Sequence, residues 1–285
     1  MWVYLNDRFV TEEEAKISIF DHGFLYGDGL FETLRAYSGR IFALPEHLGR
    51  LSRSADRLKI PIPPATSLEA LLQETLNRNR LNDVILRLTI TRGEVGTGLA
   101  PDSNLKATTL IITPRLPGSD AHKHYEKGVS TAIVSIRRNS PDTLDPALKS
   151  LSFLNNVMGK MEAREKKVFE GIFLNLKGYL SEGTTSNLFW VRDGIIKTPA
   201  ATASILEGIT RGVVIRLAKQ RGFPLEEGHY PPEELLDAEE AFLTNTGLEL
   251  MPVTEVNGKQ IGAGLPGRVT RRLHQAFKGL IATES

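Results

Sequence analysis

The residues that could carry chemistry are few. Lys149 stands between an irregular, proline-bearing approach, Leu144-Asp145-Pro146, and the start of a helical pattern. A lysine set among apolar neighbours loses part of the hydration that favours its ammonium form, and its neutral amine is then a nucleophile able to form a Schiff base. Glu182 ends an apolar strand pattern beside Gly183, Thr184 and Thr185. A carboxylate there is either a turn residue facing solvent or a partner for a protonated ring nitrogen. Leu206-Glu207-Gly208-Ile209-Thr210-Arg211 begins a helix at a glycine, so the backbone N–H groups of Ile209 and Thr210, with the helix dipole, make an anion site; Thr246, in the turn after a strand, could donate to the same anion. A Schiff-base lysine, a carboxylate and a phosphate cup are together the requirements of pyridoxal 5'-phosphate.

Arginines offer further anion contacts. Arg50, Arg53 and Arg57 lie on a helix whose apolar positions are Leu48, Leu51, Ala55 and Leu58; they are solvated, or one reaches a phosphate with its planar fork. Arg87 faces away from the core side of the strand Val84–Arg92 (Val84, Leu86, Leu88, Ile90), so it sits on a solvated sheet face or holds a carboxylate in a cleft. Phe20–Arg35 contains Gly23, Gly27 and Gly29, which imply tight backbone and close approach by another segment, with Tyr26 and Phe31 either packed in a buried turn or lining a pocket. Gly93-Glu94-Val95-Gly96-Thr97-Gly98 lacks the ending of a P-loop.

The elements around these residues alternate in period. Val3-Tyr4-Leu5 and Arg8-Phe9-Val10 read as a hairpin, Lys16–Ile19 as another strand, and Thr66-Ser67-Leu68-Glu69 as a capping box opening a second helix. Pro114–Lys127 loses periodicity and gathers proline, glycine, histidine and charge, which marks a domain boundary. After Lys149, Leu151, Leu154, Val157, Met158 and Met161 read as the core face of a helix. Two hairpins follow, Gly171–Gly183 and Ser186–Thr198, then a short helix at Pro231–Leu236, a strand from Glu240, a turn at Asn257-Gly258 and a closing helix from Gly267.

Composition narrows the function classes. The chain has 285 residues, 41% hydrophobic and 24% charged, with 35 basic against 34 acidic side chains, and no basic run carries interleaved aromatics. Nucleic-acid and anionic-membrane roles have no electrostatic footprint, and the N-terminus has no signal-peptide pattern, so the expected location is the cytoplasm. With no cysteine, thiolate catalysis and zinc-thiolate sites are excluded, and the six histidines show no helical ligand pair, so no metal is expected.

Several of these segments, in order and over nearly the whole chain, resemble the fold-type IV pyridoxal-phosphate enzymes, the class IV aminotransferase family. They are Phe20-Asp21-His22-Gly23 with Tyr26–Arg35, Glu46-His47 with Arg50-Leu51, Lys149-Ser150, Ser181-Glu182-Gly183 with Ser186–Phe189, Leu206 with Gly208–Arg211, and Thr244–Pro252. The resemblance implies a two-domain fold of α/β (α+β) class, with a small N-terminal domain (1–115), an interdomain loop (116–127) and a larger C-terminal domain (128–285), in which Lys149 is the catalytic Schiff-base lysine. Glu182 would pair with the pyridine nitrogen, Arg50, Ile209, Thr210 and Thr246 would bind phosphate, and Leu206 would pack on the ring. Tyr26, Phe31, Arg87, Asn245 and Gly247 would contact substrate, and the chain would form a homodimer. Arg87 and the loop 93–98 are similar to branched-chain aminotransferases, while Thr97 replaces an arginine found in D-amino-acid aminotransferases. Ile136–Pro141, Leu154-Asn155-Asn156 and Glu170–Leu174 are similar to aminodeoxychorismate lyases. Ile85 replaces a pocket tyrosine, and Phe153-Leu154 leaves the partner of the cofactor's phenolic oxygen undefined. The implied reaction moves an amino group between an L-amino acid of branched-chain type and a 2-keto acid through a Lys149 Schiff base. The alternatives are elimination of pyruvate from aminodeoxychorismate to give 4-aminobenzoate, or transamination of D-amino acids or primary amines.

Overall fold

In the computed structural model, residues 1–95, 98–99, 108–118 and 121–284 are described. The chain divides into two compact units, one built from Met1–Pro117 with Leu148–Phe153, the other from Gly118–Ala147 with Leu154–Thr283. The Lys149 stretch thus returns to the first unit although the chain around it belongs to the second.

The first unit contains β1 (Trp2–Leu5), β2 (Arg8–Thr11), α1 (His22–Tyr26), β3 (Gly29–Tyr37), β4 (Arg40–Ile41), α2 (Leu44–Leu58), α3 (Ala65–Asn79), β5 (Val84–Thr91) and β6 (Thr109–Arg115). Its sheet has the order β2-β1-β6-β5-β3-β4, and every pair in it is antiparallel. Alternation sends Leu30 and Leu34 of β3, Leu86, Leu88 and Ile90 of β5, and Ile112 of β6 to one face, where Leu48 and Leu51 of α2 and Leu68, Leu72 and Leu76 of α3 cover them. The opposite face carries Phe31, Thr33, Arg87 and Thr113, with Thr33, Arg87 and Thr113 in cross-strand register.

The second unit contains α4 (Ala121–Lys127), β7 (Val129–Ile133), α5 (Leu154–Glu165), β8 (Glu170–Leu174), β9 (Leu180–Gly183), β10 (Asn187–Arg192), β11 (Ile195–Pro199), α6 (Ile209–Gln220), β12 (Leu225–Gly228), α7 (Pro232–Leu236), β13 (Glu240–Asn245), β14 (Glu249–Val256), β15 (Lys259–Gln260) and α8 (Arg268–Glu284). Its sheet runs β12-β11-β10-β13-β14-β7-β8-β9, with β15 paired to β14. The pairs β11/β12, β14/β7 and β7/β8 are parallel, so this sheet is mixed. Leu188, Trp190, Leu243, Met251 and Val253 form its core with Leu235 of α7.

Four expectations change. Lys16–Ile19 is not a strand: among the described residues no strand pairs with it, and Ile17 and Ile19 are exposed. The Thr66–Glu69 box does not cap a helix: α3 starts at Ala65 behind Pro64, whose fixed φ already suits a helix entry, and no side chain caps it. Part of the boundary region is helical, as α4. Leu154, Val157, Met158 and Met161 are not core residues, at 69%, 47%, 49% and 58% exposed, and α5 instead buries Asn156, Gly159 and Ala163. The apolar period was real, but small residues give β8 the closer approach.

Gly159 shows how close that approach is. A Cβ there would lie 2.5 Å from Cζ of Phe173 on β8. A glycine-to-alanine change inside a helix ordinarily stabilises by about 1 kcal/mol. Here Gly159→Ala is expected to destabilise by about 1–3 kcal/mol through overpacking, read as a lower urea midpoint with an unchanged m-value.

Candidate active site

In the first unit the Lys149 segment is held as an extension of the sheet. The N–H of Phe31 donates to the carbonyl of Lys149 at 3.0 Å, the N–H of Leu151 donates to the carbonyl of Gly29 at 2.9 Å, and Leu30 and Ser150 form a bridge. A Cβ on Gly29 would lie 2.6 Å from Cδ1 of Leu151 and 2.7 Å from the carbonyl oxygen of Ile90, so the close approach implied by the glycines is met here. The half-buried Lys149 places its Nζ 4.4 Å from the Phe31 ring centroid, and the Phe153 ring meets Phe31 edge-on at 5.3 Å. Arg87 lies over the same Phe31 ring, its guanidinium carbon 3.9 Å from the centroid. Desolvation, then the charge of Arg115, push the Arg87 guanidinium below its ordinary value. Among the described residues no carboxylate is paired with Arg87.

Tyr26 closes the one-turn helix α1, whose N-cap Asp21 accepts from the Gly23 N–H at 2.7 Å and from the hydroxyls of Thr91 and Thr109. The Tyr26 ring meets His22 edge-on at 4.9 Å and is itself exposed. The following Asp28 is clamped by Arg92, with Nε to Oδ2 at 2.6 Å and Nη2 to Oδ1 at 3.0 Å. Arg50 is buried rather than solvated. Its Nε and Nη2 donate to the two oxygens of Glu32 at 2.8 and 2.7 Å, and His47 Nδ1 lies 2.8 Å from Oε2 of the same carboxylate. Burial pushes the Glu32 carboxyl up, but the charge and hydrogen bonds of Arg50, then those of His47, outweigh it and hold it at about 2. Thr97 lies outside the described residues.

In the second unit Glu182, at the end of β9, is buried. Its Oε1 accepts from Arg138 Nε at 2.9 Å, and its Oε2 accepts from the Leu206 N–H at 3.0 Å and from Asn187 Nδ2 at 3.2 Å. Asn187 also donates to the carbonyl of Leu206 at 2.7 Å, so Leu206 is tied to Glu182 by both its backbone groups. Gly208 is the N-cap of α6 in extended conformation with no side-chain cap, which leaves the first N–H groups of the helix, those of Ile209 and Thr210, for an outside acceptor. A Cβ on Gly208 would strike the side-chain oxygen of Asn187. The turn between β13 and β14 carries Asn245, Thr246 and Gly247. Asn245 is occupied within it: its Oδ1 accepts from the N–H groups of Gly247 and Leu248, and its Nδ2 donates to the carbonyl of Thr185. The second unit therefore joins Glu182 and Leu206 by hydrogen bonds, Ile209 and Thr210 follow Leu206 within a few residues at the start of α6, and Asn245 is tied to Thr185, three residues after Glu182.

A carboxylate fixed by three donors beside an uncapped helix start is the donor and acceptor set that a phosphorylated pyridine requires, and it stands on the sequence order already described. The model of the class IV amino-transferase family matches residues 29–256. The chain belongs to the class IV aminotransferases. A Methanocaldococcus jannaschii protein provisionally named a branched-chain-amino-acid aminotransferase is 43% identical over 98% of this chain and 96% of its own length. Among solved structures, the branched-chain amino acid aminotransferase of Escherichia coli aligns with a TM-score of 0.94 at 34% identity, covering 100% of this chain and 95% of that one. The branched-chain amino acid aminotransferase of Thermoproteus uzoniensis, solved with norvaline, aligns at 0.88 and 32% identity, covering 100% of this chain and 96% of that one.

As a class IV aminotransferase the chain shows residues that sequence reasoning left without a role. Glu32 and His47 lay inside quoted motifs, but a buried carboxylate reads like any strand residue until its arginine is found. Arg138, Asn155 and Asn156 were noticed only as likeness to lyases.

The Glu32 cluster carries a pH dependence. A folded-state value below the unfolded one, roughly 4.3, means that the stability Glu32 contributes is complete above that unfolded value and is lost as pH falls through about 2. Thermal melts between pH 5 and pH 2 are expected to show this loss. Glu32→Gln should lower stability at pH 7 by about 3–5 kcal/mol, since Arg50 and His47 lose their counter-charge, and flatten the same acid limb.

Proposed function

We propose that this class IV aminotransferase uses pyridoxal 5'-phosphate to move an amino group between an L-amino acid of branched-chain type and a 2-keto acid. The observation that carries the reading is that one ring, Phe31, packs against both an amine, that of Lys149, and an anion-binding guanidinium, that of Arg87. An amino acid presents these two groups with a nitrogen to exchange and a carboxylate to hold.

The residues fit the cofactor. The uncapped N–H groups of Ile209 and Thr210 suit a phosphate, with Thr246 and Arg50 as further donors in this reading. Glu182 suits a protonated ring nitrogen, and Leu206 supplies an apolar contact for the ring face. When bound, pyridoxal phosphate supplies an electron sink that lowers the cost of charge at the substrate alpha carbon. Lys149 Nζ then takes and returns the proton at that carbon, serving both half-reactions. Arg87 orients the carboxylate, Phe31 and Tyr26 limit the space around the side chain, and Asn245 and Gly247, on a self-bonded turn of the second unit, are further substrate contacts in this reading. The likeness to branched-chain enzymes over the whole chain supports this substrate class over the lyase reaction.

The assembly proposed is a homodimer in the cytoplasm. The stripe Leu154, Val157, Met158 and Met161 on α5 and the exposed Ile19, Phe20, Phe24 and Leu25 of the first unit are large apolar surfaces of the kind a second copy covers. No helix among the described residues is long and apolar enough to cross a membrane.

Two outcomes are expected. The visible absorption band of the cofactor-loaded protein is discharged by L-leucine and not by D-alanine or a simple primary amine, and Arg87→Gln raises the KM for leucine roughly ten- to hundred-fold. If the primary amine discharges the band, no carboxylate is needed and the assignment of Arg87 fails; if D-alanine does, the L preference fails; if none does and aminodeoxychorismate yields pyruvate, the lyase reading replaces this one. Met161→Glu is expected to shift the dimer toward monomer in sedimentation velocity at micromolar protein.

A further inference from the structure

Arg138 is a buried charged group that the proposed reaction does not use. It follows β7 in the chain, and its backbone N–H donates to the carbonyl of Leu174 at the end of β8. Its Nε donates to Glu182, and its Nη1 donates to the side-chain oxygens of Asn155 and Asn156 at 3.0 and 3.2 Å. The two asparagines are themselves oriented by backbone: Asn155 Nδ2 donates to the carbonyl of Arg137 at 2.9 Å, and Asn156 Nδ2 to the carbonyl of Thr184 at 2.8 Å. Each amide has its NH2 committed to a carbonyl, so its oxygen is the end left facing the guanidinium. The Phe173 ring lies beneath the guanidinium, 5.7 Å from centroid to carbon.

The arrangement is a three-layer brace: backbone carbonyls orient two amides, the amides orient one fork, and the fork orients one carboxylate. A glutamate side chain has several rotatable torsions, and a merely charged neighbour would leave them loose. Arg138 and Glu182 are both almost fully buried, with side chains 6% and 6% exposed, so Glu182 is carried as a charge inside the unit only because a partner compensates it.

We propose that Arg138 is a positioning residue which, braced by Asn155 and Asn156, holds the Glu182 carboxylate charged and aimed for a protonated pyridine nitrogen. It acts through Glu182 and touches neither substrate nor cofactor. This rests on the reading that Glu182 meets the ring nitrogen, and it assigns the Arg138 segment and the first turn of α5 a common purpose.

The test compares retention of two cofactors by the full-length protein: pyridoxal phosphate, and its 1-deaza analogue, in which a ring C–H replaces the nitrogen. Dissociation is followed as the fraction of the visible band that stays with the protein through successive dilution and ultrafiltration. Arg138→Gln is expected to weaken retention of pyridoxal phosphate by at least about ten-fold and of the analogue less than about three-fold, because only the first has a nitrogen for Glu182 to hold. Equal weakening of both, or of neither, overturns the proposal. Glu182→Gln is expected to erase the preference for pyridoxal phosphate over the analogue. If it leaves that preference intact, the ring-nitrogen reading itself fails. If it erases the preference while Arg138→Gln does not diminish it, only the role of Arg138 fails. Should Arg138→Gln not fold, Asn155→Ala removes one brace and must give a smaller selective loss; a loss equal for both cofactors overturns the proposal as well.

Discussion

The first residues of β3 have β5 on one side, and on the other β4 reaches only Ala36 and Tyr37. Beyond it the backbone groups of Gly29 and Phe31 would be left unpaired in the interior, which is costly. The chain from Lys149 to Leu151 fills that edge with two hydrogen bonds. Backbone pairing, rather than side-chain packing, thus sets the position of the proposed nucleophile, and alternation along the pleat brings Phe31 and Arg87 to the same sheet face. The added segment lies too close to β3 for a side chain at Gly29, which is why that position is a glycine.

Around that frame, carboxylates are paired with arginines in local sets. Glu32 is matched by Arg50 and His47, Asp28 by Arg92, and Glu182 by Arg138. In each set the arginine faces the carboxylate with Nε, a geometry that a lysine's point charge does not reproduce. Such pairs contribute less to net stability than they cost when half-broken, so their value lies in fixing where a charge sits. The two units use the same device in unrelated sheets, one wholly antiparallel and one mixed.

What the sequence made legible follows from periodicity. The face of β5 with Leu86, Leu88 and Ile90 inside and Arg87 outside, the Asp193-Gly194 hairpin, and the start of α6 at Gly208 are local patterns, and the structure has them. The Lys149 stretch was legible as irregular chain before a helix, but its pairing with β3 spans more than a hundred residues, and no local pattern encodes that. The stripe on α5 misled for a physical reason. Period 3.6 says that one face is apolar, not which face turns inward, and Gly159 and Ala163 decided it by allowing closer packing. Arg138 was invisible as a functional residue because its meaning depends on Glu182, 44 positions away.

Asn187 has a consequence for redesign. It accommodates the backbone of Gly208 at the start of α6, bonds Leu206, and donates to Glu182, so one amide spans the proposed phosphate end and the proposed ring-nitrogen end of the site. Any side chain grafted at Gly208 to recruit a different anion would displace that amide and disturb the carboxylate with it. The two ends of the cradle therefore cannot be exchanged piecemeal: a library aimed at altered cofactors must vary Glu182, Asn187, Leu206 and Gly208 together.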